Sequence, residues 1–91
     1  MARKTVTFNK AGIEKLPVDK PVVYTIKTAE DKANYIGVAQ RWRAQERLME
    51  HLPNIPGAKV QIEQMSSIKE AREKEAKIIA KHQPPYNTQV K

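Results

Sequence analysis

Apolar and polar positions alternate from Val22 to Lys27, with Val22, Tyr24 and Ile26 on one face and Val23, Thr25 and Lys27 on the other. The residues are mostly β-branched or aromatic, which predicts a strand. The polar stretch 28–32 then reads as a turn, and residues 34–38 as a second strand. A link this short makes the two strands antiparallel neighbours. Residues 58–65 alternate again, with Val60 and Ile62 inward and Lys59, Gln61 and Glu63 outward. Near the start, residues 5–8 predict a short edge strand, and Gly12 and Pro17 limit residues 9–16 to a short helix.

Two segments switch to helical spacing. Over residues 41–52, Ala44, Leu48 and Leu52 form an apolar stripe, with Arg43, Arg47 and His51 at spacing four beside it. Pro53 ends this helix. Ser67 is the expected cap of the last helix, with Glu70 completing a capping box. Ile68, Ala71, Glu75, Ile78, Ile79 and His82 share one of its faces, and Pro84 stops it. Strand, helix and strand in succession suggest a crossover packed on the sheet. No repeat or low-complexity segment interrupts this order.

The 91 residues make one small domain. A chain of this size buries roughly 60–65% of its unfolded surface, so the core is modest. Without cysteine it has no disulfide or thiolate metal site. No apolar run approaches the ~20 residues of a membrane span. The opening MARKTVTF lacks an apolar signal core, so a cytoplasmic protein with no membrane partner is expected. Lys and Arg number 17 against 10 acids, a net charge of +7, which favours a polyanionic partner, chiefly nucleic acid, or serves solubility alone.

Glu75 is the most informative candidate. It lies in an apolar stripe, and a carboxylate near a core needs a partner because desolvating it alone is costly. That partner is either an arginine, giving a structural ion pair, or a divalent cation. Arg47 reads either as a solvated helix cation or as a planar phosphate fork. His51, one turn later, could donate to a leaving group or shuttle a proton. Tyr24 and Tyr35 are eleven positions apart. They read as sheet core, or as groups that orient a water when a cation is near. Trp42, the only tryptophan, reads as a packing residue at the helix start, with base stacking as the alternative. Asn87 reads as a tail asparagine bonded to its own backbone. The absence of GxxxxGK[ST], CxxC, HExxH and GxSxG removes NTPase, zinc and serine-hydrolase chemistry.

Taken together in this order, the motifs resemble the GIY-YIG nuclease domain. Val22-Val23-Tyr24 stands in place of Gly-Ile-Tyr, and Tyr35-Ile36-Gly37 is the second signature itself. Arg47 and His51 fit the family's first helix, Ala71 and Glu75 its A-x-x-x-E helix, and Pro84-Pro85-Tyr86-Asn87 its closing P-x-Y-N. The resemblance covers residues 21–89 and leaves 1–20 as an N-terminal extension. Gly37 to Arg47 is longer than usual, which places an extra bulge within residues 40–45. Val38 follows Gly37 where many relatives carry a polar or basic residue.

The resemblance implies an α+β fold, with a small three-stranded antiparallel sheet flanked by helices. It also implies a metal-dependent endonuclease acting on DNA or structured nucleic acid, with weak sequence specificity or specificity supplied by a protein partner. Its catalytic set would be Tyr24, Tyr35, Arg47, His51, Glu75 and Asn87. Glu75 would hold one divalent cation, Mg²⁺ or Mn²⁺, and Arg41, Arg43 and Arg47 would contact nucleic acid. The alternative is a nucleic-acid-binding module that keeps the fold with little or no turnover.

Overall fold

The computed structural model describes residues 3–84 and 86. In chain order the elements are β1 (Arg3–Thr7), α1 (Lys10–Ile13), β2 (Val22–Lys27), β3 (Ala33–Ala39), α2 (Ala44–His51), β4 (Lys59–Gln64) and α3 (Ile68–His82). The architecture is α+β. The strands form one antiparallel sheet in the order β1-β4-β2-β3. Three strands were expected in the sheet and four are present, because β1 pairs along β4 with Val6 opposite Val60. The chain before residue 21 also adds Phe8, Ile13 and Leu16 to the main core.

The β2–β3 hairpin sets Tyr24 opposite Gly37 and Ile26 opposite Tyr35. On its other side β2 pairs with β4, setting Tyr24 opposite Ile62. The crossover through α2 therefore returns as an antiparallel strand. One sheet face buries Val22, Tyr24, Ile26, Val60 and Ile62 with Ala44 and Leu48 of α2 and Ile13 of α1. The opposite face packs Val23, Ile36 and Met65 against Ala71 of α3. Each fully buried aliphatic side chain contributes about 1.5–3 kcal/mol, so a two-sided core holds this small sheet without disulfides. β3 stays at the edge, with a helix on each side of it.

Local chemistry sets the helix ends. Asn9 caps α1 by accepting from the Gly12 N–H at 2.7 Å. Ser67 caps α3 by accepting from the Glu70 N–H at 3.2 Å. The reciprocal arm of this box falls one residue early. The Glu70 carboxylate accepts from the backbone N–H of Ser66 at 3.3 Å and from the Ser66 hydroxyl. Gln83 ends α3 in the left-handed region, its N–H bonded to the Ile79 carbonyl, and a fully buried Pro84 follows.

Three expectations need correction. The second helix begins at Ala44 rather than residue 41, because 41–43 form a turn in which Trp42 has φ 73°. Trp42 is not a packing residue but is 64% exposed. Glu63 does not face solvent: α3 covers part of that sheet face, and Glu63 is buried there between Arg3 at 3.4 Å and Lys74 at 3.7 Å.

Candidate active site across the edge strand

Because β3 is an edge strand with a helix on either side, side chains from both layers meet beyond it. They form a cleft of about 450 Å³ lined by Tyr35, Gly37, Arg43, Arg47, Arg72 and Glu75. Three guanidinium groups face one carboxylate, so the concavity is basic and suits a phosphate.

Gly37 makes the cleft possible. A Cβ at this position would lie 2.5 Å from both Cζ and the hydroxyl oxygen of Tyr24, well inside van der Waals contact. The Tyr24 ring therefore crosses directly over the Gly37 backbone from the neighbouring strand. The glycine in Tyr35-Ile36-Gly37 is required by this close approach rather than by a positive φ.

The tyrosine hydroxyl then reaches α2. Tyr24 Oη lies 3.0 Å from His51 Nε2. The two tyrosine rings stack at 6.2 Å between centroids, and the His51 ring lies 4.7 Å from that of Tyr35. Tyr24 is fully buried, whereas Tyr35 lines the cleft. Tyr24 thus forms the second layer, Tyr35 the wall, and His51 joins them from behind.

Burial sets the electrostatics. Desolvation holds the Tyr24 phenol far above its ordinary range, with Tyr35 adding to the rise and the Arg47 guanidinium opposing it. Tyr35 is raised by burial as well, opposed by Arg47 and by a hydrogen bond shared with Tyr24. His51 is depressed by burial and then by Arg47, so its imidazole is neutral at neutral pH. Its Nε2 can then accept the Tyr24 proton. Glu75 is raised by desolvation and partly relieved by Arg72.

The candidate residues separate clearly. Tyr24, Tyr35 and His51 are in mutual contact, and Arg47 and Glu75 line the same cleft as Tyr35. Arg43 also reaches the cleft and pairs with Glu46 at 2.9 Å. Arg41 is exposed in the turn before α2. Asn87 lies outside the described residues. Gln45 points away, donating to the Glu14 and Leu16 carbonyls at 3.1 and 2.9 Å, so Arg47 is the α2 residue aimed at the cleft. The extra residues before α2 are accommodated by the turn at 40–43, where the Arg43 N–H bonds to the Gln40 carbonyl.

Sequence reasoning missed Arg72. It stands three residues before Glu75, a spacing that shares a helix face, so the signal was present. Among the described residues no group of three or more His, Cys, Asp or Glu side chains could hold a metal. Among the described residues, Glu75 is the only carboxylate lining the cleft. It is half-buried and, among the described residues, forms no ion pair. Its environment fits a Mg²⁺ bound by one carboxylate, waters and substrate phosphate oxygens. No helix among the described residues is long and apolar enough to cross a membrane. No protein-family model matches the chain, and no curated protein matches it in sequence.

Proposed function

We propose that this chain is a metal-dependent endonuclease of the GIY-YIG type, hydrolysing phosphodiester bonds in DNA or structured nucleic acid. The observation that carries this reading is the meeting of Tyr35, Arg47 and the half-buried Glu75 in one basic cleft, from elements far apart in sequence. Arg47, Arg43 and Arg72 would receive the phosphate oxygens, with Arg47 offering its planar fork as charge builds on them. Glu75 would hold a divalent cation, Mg²⁺ or Mn²⁺, whose chemistry when bound is to polarise the scissile phosphate and stabilise the departing oxygen.

The tyrosine pair orders the attacking water. Tyr35 faces the cleft and would hold the water, and a proton passed to it can move through the Tyr24 hydroxyl to neutral His51. This route leaves no phenolate in a site that disfavours one. It assigns the base to His51 and the positioning of water to the tyrosines.

A second reading, a nucleic-acid-binding module with little turnover, is favoured by the burial of Tyr24 and by the apolar Val38 beside Gly37. The test uses supercoiled, branched and single-stranded DNA with Mg²⁺, Mn²⁺ or EDTA. Cation-dependent nicking that falls about 10²–10³-fold in Arg47→Ala supports the enzyme. Arg47 is exposed, so the variant should fold. Salt-sensitive binding without nicking on any substrate selects the second reading.

A further inference from the structure

Trp42 is the only large hydrophobic residue exposed among the described residues, at 64%. Its backbone is in the left-handed region, φ 73°, where a bulky residue is an outlier. The conformation is held in place: the Trp42 N–H donates to the Val18 carbonyl at 2.6 Å, and the next residue closes the turn onto Gln40. The fold thus tolerates local strain at a side chain that adds little to the core. Strain held at an exposed side chain points to display rather than packing.

The surroundings identify what it is displayed to. Exposed Arg41 and Arg43 are its neighbours in sequence on the same turn, and Arg43 and Gln40 belong to the lining of the cleft across β3. An exposed indole with an arginine on either side of it in sequence, next to a basic cleft, suits a nucleobase with its adjoining phosphates. Bases inside a duplex are already stacked on their neighbours, so the face suits a base that lacks a pairing partner. We infer that Trp42 is a stacking platform for an unpaired base at the mouth of the cleft. It would bias the site toward single-stranded or branched DNA. This rests on the nucleic-acid reading of the cleft and deepens it by naming the substrate class.

Because the chain has one tryptophan, intrinsic fluorescence reports on this residue alone. The wild-type protein is titrated in EDTA, which stops turnover, with a blunt duplex, the same duplex carrying a single-stranded arm, and an arm of abasic sites. Labelled-DNA anisotropy follows binding in parallel. The expected result is quenching by the arm-bearing duplex and not by the blunt or abasic ones. Affinity for the arm should fall about 5- to 150-fold in Trp42→Ala, with Trp42→Phe between and blunt-duplex affinity unchanged. Equal binding of all three DNAs with unmoved fluorescence overturns the stacking inference and leaves the nucleic-acid reading standing. Equal quenching by the blunt duplex overturns the preference for unpaired bases. No binding of any DNA overturns both.

Discussion

Replacing Gly37 with alanine tests the geometry that joins fold to site. The added Cβ would meet Tyr24 Cζ and its hydroxyl oxygen at 2.5 Å. Relief to ordinary contact needs a shift of about 1 Å. Tyr24 is fully buried, so the shift must be shared with the core around it. Overpacking of this kind costs about 1–3 kcal/mol. A 1 Å movement also takes the hydroxyl out of its 3.0 Å contact with His51. Misplacement on this scale can lower turnover about 10²-fold. Urea unfolding gives the first quantity, and single-turnover nicking at matched folded fraction gives the second. Gly12→Ala is the control: its Cβ would meet the Thr7 carbonyl oxygen at 2.0 Å, in a helix that contributes no cleft residue. It should lose stability while keeping nicking per folded molecule. A Gly37→Ala protein with stability within about 0.5 kcal/mol of wild type and undiminished nicking would refute the reasoning.

Four further outcomes follow from His51, Trp42 and Ser67. His51 titrates below 6.5 in the folded state, so nicking should rise with pH to a plateau with its midpoint below that value, and His51→Gln should remove this step from the rate profile. For stability the unfolded chain binds more protons just below pH 6.5, so the His51 contribution is complete above that pH and is lost as pH falls through the folded value, which urea midpoints across the range measure. Trp42→Gly should stabilise the protein by up to about 1 kcal/mol, since a left-handed bulky residue costs roughly 1–2 and glycine's extra unfolded-state entropy offsets part of it; a lower urea midpoint would mean that the indole packs. Ser67→Ala should destabilise by about 1 kcal/mol through loss of the α3 cap, read by the same unfolding assay.

The hairpin, both longer helices and the last strand were legible because their periodicities survive in the fold. Val22, Tyr24 and Ile26 do share a buried face, and Ser67 does cap α3. The sheet's fourth strand was harder to read. Residues 5–8 showed the alternation of an edge strand, but pairing with β4 is a contact across more than fifty residues. Glu63 was misjudged because alternation marks two faces without saying whether a helix covers one of them. Trp42 was misjudged because helical spacing gave no warning of the left-handed turn that delays α2.

For the candidate site, local patterns marked Tyr24, Tyr35, Arg47 and Glu75 one by one. Their meeting depends on β3 being an edge strand, which no local pattern encodes. The layering of the tyrosines was equally hidden. Only the register of Tyr24 opposite Gly37 makes one tyrosine the wall and the other its support.

The most direct measurement is the rate at which the purified protein nicks supercoiled DNA in Mg²⁺, taken beside Glu75→Gln. The substitution keeps the shape of a half-buried side chain on α3 and removes only its charge. If the cleft across β3 is a one-carboxylate phosphodiester site, wild type nicks the plasmid and Glu75→Gln loses at least about 10²-fold in rate while unfolding at a similar urea concentration. Nicking that continues at the wild-type rate in Glu75→Gln would contradict the account.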